Sequence, residues 1–361
     1  MVDYSLLNKS FKGKKVFLTG HTGFKGTWLT IWLQMMGAEV KGYALKPEKE
    51  SLFNQVKTQL KIDSVIADIR NRNRIEKEIL DFQPDFIFHL AAQPLVRLSY
   101  QIPMETFDVN VTGTMNVLNG IRTLKKNCTV VVITTDKVYE NNETGKPFAE
   151  KDALGGLDPY SASKAAAEIV TQSYRHSFFH PTDFKTHKKS IATARAGNVI
   201  GGGDYAADRL LPDIFKALRE EQEIIIRNPN STRPWQFVLE PLAGYLQLAV
   251  SLSKNKGNFC EAYNFGPKVK DVMNVEQVVK TAVKTFGSGT YKVIQNKQQP
   301  HEAKLLSLDI KKAATQLNWE PVLNATSAIQ RTMAWYKHSM QKNIDVYQLC
   351  VQDINHFIAH S

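Results

Sequence analysis

The sequence predicts an α/β protein: a doubly wound parallel sheet followed by a smaller mixed α/β lobe toward the C-terminus. Three observations lead there. Short apolar runs at 16–19, 40–44, 65–67, 86–90, 130–133 and 191–196 alternate with helical patterns. The run Val130-Val131-Val132-Ile133 is apolar on both faces, as a central parallel strand is. A glycine-rich turn, Gly20-His21-Thr22-Gly23-Phe24-Lys25-Gly26, joins the first strand to the first helix. Strands alternating with helices make βαβ units, and their crossovers are right-handed.

The elements follow in order. Over 27–36 the residues Trp28, Leu29, Ile31, Trp32, Leu33, Met35 and Met36 cover most of a helix surface. A helix that apolar is largely buried, and Gly37 stops it. Strand two is 40–44, and strand three is 65–67, ending at Asp68. A helix over 72–82 precedes strand four, 86–90. One long helix is expected over 106–126 before strand five, 130–133. A helix from Ser161 leads to strand 191–196, and the basic stretch 180–190 reads as a surface loop. Beyond Gly203 the rhythm weakens to a helix at 211–221, a strand at 224–226 and helices near Leu242 and Val275. There is no internal repeat.

Composition excludes several classes of protein. The chain has 361 residues, 43% hydrophobic and 22% charged, which is globular and not disordered composition. No apolar run approaches the ~18 residues of a membrane helix, and the first fifteen residues lack the apolar core of a secretory signal. A cytoplasmic location is therefore expected, with no membrane partner. Cys128, Cys260 and Cys350 are far apart and odd in number, against a disulfide framework and against a zinc cluster. No metal site is expected. The formal net charge is +11, but the basic residues are scattered, densest at 9–15 and 185–189, without interleaved aromatics. Nucleic-acid binders carry a clustered basic stripe, so no nucleic-acid partner is expected.

Three motifs carry chemistry. In the glycine turn the spacing is GxxGxxG, where glycines let backbone approach a pyrophosphate resting on a helix N-terminus. The acid that usually binds the adenosine ribose about 20 residues on is missing. Lys46 after strand two could instead meet a 2′-phosphate, so this motif leaves NAD and NADP both open. Asp68 is either an acceptor for the adenine amino group or a solvated strand end. The second motif, Tyr160-Ser161-Ala162-Ser163-Lys164, puts phenol and ammonium on one helix face. An ammonium beside a phenol lowers its pKa from about 10, so that it can accept a proton from an alcohol. The third, Thr134-Thr135-Asp136-Lys137-Val138-Tyr139, follows strand five, at the end where parallel sheets gather ligands. Alone it reads as a polar turn with a surface Asp–Lys pair.

Together, Gly20, Gly23 and Gly26, His89-Leu90-Ala91-Ala92, Thr135, Tyr160 and Lys164 resemble the extended short-chain dehydrogenase/reductase superfamily. Later segments narrow the resemblance: Gly197-Asn198-Val199-Ile200-Gly201-Gly202-Gly203-Asp204, Asp208-Arg209-Leu210, Arg233-Pro234-Trp235-Gln236, Leu239-Glu240-Pro241 and Pro300-His301-Glu302-Ala303. With them the chain is similar to the CDP-glucose 4,6-dehydratase family of dideoxysugar biosynthesis, over residues 10–340. Two positions depart from that family: Tyr205 stands where Trp is expected and Phe237 where His is expected, both in the substrate half.

The resemblance implies a Rossmann-type NAD-binding domain at 10–203 that also carries the catalytic residues. It implies a mainly substrate-binding lobe at 204–340, parts of which return to the sheet, and a helical tail at 341–361. It implies that NAD contacts Gly20, His21, Gly23, Phe24, Lys25, Gly26, Asp68, Ile69, Leu90, Ala91, Ala92, Tyr160 and Lys164. The implied substrate is a nucleotide diphosphoglucose, CDP-glucose, converted to the 4-keto-6-deoxy sugar nucleotide and water while NAD is reduced and reoxidised in one cycle. Tyr160 would be base on the sugar 4-hydroxyl, tuned by Lys164, with Thr135 on the 4-oxygen. Lys137 would be base at C5 and Asp136 acid at the C6 hydroxyl, which asks for a depressed pKa in the first and a raised one in the second. Asn198 and Arg233 would hold the pyrophosphate, with Arg209 as a second candidate, and His301 and Glu302 would help recognise the nucleotide. Trp235 either packs on the ligand or belongs to the core. The charges of His21 and Lys25 either attract the pyrophosphate or are solvated. The helix at 110–122 and the Tyr160 helix would build a homodimer. The alternatives are a dehydratase or 4-epimerase on another nucleotide sugar, and a non-catalytic dinucleotide sensor. The intact Tyr160 and Lys164 argue against the sensor.

Overall fold

The computed structural model describes residues 2–141, 145–294 and 306–361. Seven strands form one parallel sheet: β1 (Lys15–Thr19), β2 (Glu39–Ala44), β3 (Asp63–Ile66), β4 (Phe86–His89), β5 (Cys128–Ile133), β6 (Lys189–Ala196) and β7 (Ala262–Phe265). Their order is β7-β6-β5-β4-β1-β2-β3. The order reverses between β1 and β4, the switch point at which such sheets open a crevice.

Successive side chains of a strand point to opposite faces, and the two cores divide accordingly. Val16, Leu18, Phe86, Phe88, Val131 and Ile133 enter one core. Phe17, Ile87, Val130 and Val132 enter the other. The Phe24–Met35 helix covers the first face, with Trp28, Leu29, Ile31, Trp32 and Leu33 buried. Three later parts of the chain return to this unit. The Leu239–Lys254 helix packs on β5 and β6, β7 pairs with β6, and the Val346–Ala359 helix lies on the Phe24–Met35 helix, Trp32 meeting Phe357 edge-on at 6.1 Å. Smaller pairings, Ile224–Ile226 with Tyr291–Val293 and Thr232–Arg233 with Met273–Asn274, build the remainder of the second lobe.

Two expectations are corrected. The helix expected over 106–126 is broken into Pro103–Phe107, a wider π-type turn at Asp108–Thr112, and Gly113–Gly120. Asn110 explains the wide turn. Its side chain accepts from the Gln93 amide at 2.9 Å and donates to Ser163 Oγ at 2.8 Å, tying it to the β4 loop and the Tyr160 helix. The stretch 180–190 is not all surface loop: it contains the short Phe184–His187 helix and enters β6 at Lys189. Lys189 is buried because its ammonium donates to three carbonyls, those of Leu124, Lys126 and His187. A basic sequence reads as exposed unless such acceptors are known.

Candidate active site

The turn after β1 is tight because only glycines fit it. Gly20 has φ 77°, and a Cβ there would lie 2.8 Å from the Ala91 amide nitrogen. A Cβ at Gly26 would lie 2.0 Å from the Gly20 carbonyl oxygen. The Phe24–Met35 helix therefore starts hard against β1, with Gly23 as an N-cap that supplies no side-chain bond. Its first amides and the positive end of its dipole suit a pyrophosphate. Leu90 and Ala91 form the facing wall, held by Thr19: its carbonyl accepts from the Leu90 amide and its Oγ1 from the Ala91 amide. Ala92 follows them, half-buried.

His21 and Lys25 part company. The His21 ring is fully buried, packed on Gly42, with Nε2 bonded to Ser64 Oγ at 2.7 Å. Burial lowers its pKa to about 4, so it is neutral and brings no charge to a pyrophosphate, a correction to the charge expected of it. Lys25 is half-buried, not held out in solvent. It lines the cleft, its ammonium 5.8 Å from the centre of the Tyr245 ring. Burial, then the nearby Lys164 and Arg209 charges, pull its pKa down to about 7. At the end of β3 the Asp68 carboxylate is forked by Arg70, with Nη2 at 2.6 Å, which holds its pKa below the usual range. The Ile69 side chain packs into the core against Gly113, and its carbonyl accepts from Asn116.

The cleft itself, of about 670 Å³, opens beyond the C-terminal ends of β1, β4, β5 and β6. Thr135, Asp136, Lys137 and Tyr160 meet in it, with Asn198, Arg209 and Arg233 on the side of the second lobe. Thr135 Oγ1 donates to Asp136 Oδ1 at 2.9 Å and hydrogen-bonds the Tyr160 hydroxyl. Asp136 is 2% exposed. It sits there because residue 197 is glycine: a Cβ would fall 1.8 Å from Asp136 Oδ2. Burial raises the Asp136 pKa, with Lys137, Thr135 and Arg233 acting against it. Lys137 is half-buried, its amide bonded to Thr135 Oγ1.

Tyr160 and Lys164 share one face of the Pro159–Ser177 helix, but the ammonium is pinned elsewhere than expected. Lys164 Nζ donates to the Ile133 carbonyl at 3.1 Å. Burial pushes the Tyr160 phenol up to about 12 against the Thr135 hydrogen bond, and lowers Lys164 to about 8. In the protein alone, desolvation outweighs the Thr135 hydrogen bond and the Arg209 charge, and the phenol holds its proton. Arg209 is fixed by Asp204 at 2.8 Å. Trp235 lines the cleft with its Nε1 on the Met273 carbonyl. His301 and Glu302 lie outside the described residues. Among the described residues no group of three His, Cys, Asp or Glu side chains could hold a metal ion.

The two unexpected residues do not line the cleft. The Tyr205 hydroxyl accepts from Gln55, and its ring meets Phe215 and Tyr336. Phe237 is wholly buried beneath Arg331. Sequence reasoning passed over Glu168 and Arg195, buried side by side behind Tyr160, and Tyr245, whose buried hydroxyl has no hydrogen-bond partner among the described residues. Glu168 was legible in principle: 160, 164 and 168 continue one helical stripe.

The strand order, glycine turn and Tyr160–Lys164 pair define an extended short-chain dehydrogenase/reductase. The model of the GDP-mannose 4,6 dehydratase family matches residues 17–332, and the chain belongs to that family. It is 46% identical to CDP-glucose 4,6-dehydratase of Salmonella typhimurium, over 92% of this chain and 93% of the relative. Among solved structures, NAD-bound dTDP-glucose 4,6-dehydratase of Bacillus anthracis superposes with a TM-score of 0.73 at 21% identity, over 90% of this chain and 97% of that one. UDP-glucose-4-epimerase of Stenotrophomonas maltophila gives a TM-score of 0.77 at 19% identity, over 91% and 98%. These two likenesses concern the fold.

Proposed function

We propose that the protein is a nucleotide-sugar 4,6-dehydratase that converts CDP-glucose to its 4-keto-6-deoxy derivative and water, with NAD as a catalyst. The observation that carries this reading is that Tyr160 and Thr135 share one cleft with Asp136 and Lys137. Oxidation at C4 needs only the first pair; elimination needs an acid and a base as well. The 46% identical relative supports CDP-glucose as substrate. Tyr205 and Phe237 lie outside the cleft lining, which supports the same choice.

Gly20 and Gly26 let the turn and the helix start pack closely on the β1 and β4 ends, and Gly23 heads the helix without a side-chain cap, which fits NAD at the start of the Phe24–Met35 helix. When bound, NAD supplies a hydride acceptor and later the donor. The protein's own groups do the rest. Tyr160 takes the 4-hydroxyl proton. Its high pKa in the protein alone means that this transfer depends on positive charge arriving beside it. Lys137 removes the C5 proton, and the electron pair delocalises onto the C4 oxygen held by Thr135 and Tyr160. The C6–O bond then breaks as Asp136 gives its proton to the leaving hydroxyl, releasing water. A proton returns to C5 as C6 is reduced. Asp136 suits the acid role because burial raises its pKa. Arg209, Arg233 and Asn198 suit the substrate pyrophosphate.

The assembly is a homodimer in this reading. Ile169 on the Tyr160 helix, 56% exposed, and Tyr100, Met104 and Phe107 on the two short helices packed against it, Met104 at 84%, are exposed apolar residues. Three buried unpaired cysteines fit a reducing cytoplasm. No described helix is long and apolar enough to cross a membrane. The test is a panel of CDP-, dTDP-, GDP- and UDP-glucose with trace NAD, followed by the 4-keto product. Many turnovers per NAD with CDP-glucose are expected. Stoichiometric reduced nicotinamide, or a 4-epimer as product, would sink the reading.

A further inference from the structure

We propose that Glu168 is a positioning residue for this reaction: its carboxylate locks the end of β5, which carries Thr135, Asp136 and Lys137, onto the helix that carries Tyr160 and Lys164. The inference rests on the functional reading above and deepens it.

Both carboxylate oxygens of Glu168 are fully engaged. Glu168 lies one helical turn beyond Lys164 and two beyond Tyr160, and is 4% exposed. Oε1 accepts from Thr134 Oγ1 at 2.5 Å and from Arg195 Nε at 3.0 Å. Oε2 accepts from Thr193 Oγ1 at 2.7 Å and from Arg195 Nη2 at 3.0 Å. Thr134 lies between Ile133, whose carbonyl holds Lys164, and Thr135, whose hydroxyl meets Tyr160. Helix and strand end are thus joined at two adjacent residues, by the Lys164 ammonium and by the Glu168 carboxylate. Arg195 braces the carboxylate from β6 and passes the tie on to the Tyr139 hydroxyl, 2.8 Å away, just past Lys137. A buried carboxylate held by four charge-matched or hydroxyl donors has one orientation available to it.

Glu168 also bears on charge. The charged and titratable groups that act on or feel Lys164 are Lys25 from the Phe24–Met35 helix, His89 from β4 and Glu168 on its own helix, with Arg195 on β6 paired to Glu168. Burial lowers the Lys164 pKa, and Glu168 opposes the fall. Removing that anion lowers the Lys164 pKa further. The alkaline limb of turnover, where Lys164 loses its proton, should then move to lower pH.

Two variants test this. Thr134→Val cuts the strand tie and keeps the ion pair. It should lower kcat about tenfold with little change in KM, since small misplacement of reacting groups is costly. Glu168→Gln alone leaves Arg195 buried without its partner and risks unfolding, so it is combined with Arg195→Met, which removes both charges at similar volume. That double variant, verified as folded by its melting curve and by NAD binding, should move the alkaline limb of kcat down by about half a unit or more. A merely structural role would change melting and leave both readouts at the parent value. An unchanged kcat in Thr134→Val, or an unmoved limb in the double variant, overturns the proposal. A parent protein that makes no 4-keto product overturns the functional reading and this inference with it; a working parent with unmoved variants overturns this inference alone.

Discussion

At the β1 end of the cleft the working groups are backbone: amides at a helix start, made reachable by Gly20 and Gly26. At the β5 end they are side chains. Thr135, Asp136, Lys137 and Tyr160 share a site whose acid is 2% exposed. The difference lies in what each end can tolerate. A backbone cradle depends first on the absence of a Cβ, and His21 sits in it as a neutral, buried ring that lends it no charge. The β5 end depends on charge and burial, and its protonation states are set by groups from four different parts of the chain.

That contrast orders the effects of substitution on turnover. Tyr160→Phe should be the most damaging, lowering kcat by about 10⁴-fold, at the upper end of what one acid–base group contributes. The 4-hydroxyl proton has then no acceptor, so reduced-nicotinamide absorbance should not appear after substrate is added. Its appearance would mean that another group serves as the base.

Lys137→Ala should cost about 10²–10³-fold, again within the range of a single general base, but should stop the cycle later. Tyr160, Lys164 and Thr135 remain, so reduced-nicotinamide absorbance should build up with substrate, while C5–H exchange in deuterated water should fall. Lys137→Glu should restore part of the activity. A Lys137→Ala protein that merely binds substrate poorly, with no such absorbance in rapid mixing, would move Lys137 from chemistry to binding.

How legible these two ends were in the sequence follows from the same contrast. The glycine turn, the parallel sheet and the Tyr160–Lys164 stripe rest on spacing, and spacing is visible in a sequence. The meeting of Asp136 with Tyr160 was expected only from the family resemblance, since the motif alone reads as a surface turn. That Gly197 makes room for Asp136 was not legible, because the two are 61 residues apart and joined only by β6 lying beside β5. Burial was the least legible quantity. Lys189 looked like surface and is buried on three carbonyls, while His21 and Lys25 looked alike and differ in both place and charge. Asn110 widened a helix through side-chain bonds to distant segments, a cause that local periodicity does not contain.

Lys25 and His21 allow the β1 end to be probed for charge, with smaller effects. Lys25 has a pKa of about 7 in the protein alone. A pyrophosphate nearby favours the charged form and raises that value, so binding takes up a proton at and above neutrality. NAD affinity should therefore be greatest below pH 7 and decline as pH rises past it. Lys25→Ala should weaken NAD binding about tenfold at low pH, the worth of one charge-assisted hydrogen bond, and should flatten this decline. His21→Asn should leave the pH profile alone, because the ring it replaces carries no charge above pH 4 or so. Calorimetry across pH separates the two; a flat profile in the parent would place Lys25 away from the pyrophosphate.

The smallest effect on substrate choice should come from the two residues that look most like specificity changes. Phe237 is buried beneath Arg331, and Tyr205 is held by Gln55 and two aromatic rings; neither lines the cleft. Phe237→His puts a polar ring into a packed site beside a guanidinium, and an unpaired buried polar group costs about 1–3 kcal/mol. Its melting temperature should drop for that reason. Its ratio of kcat/KM for CDP-glucose over dTDP-glucose should stay within about threefold of the parent, since discrimination comes from contacts that differ between the two substrates. Tyr205→Trp should behave likewise, with a milder loss of stability from overpacking. A change of tenfold or more in that ratio for either variant would show that the second lobe transmits core packing to the cleft, and the substrate end could then no longer be described by its lining residues alone.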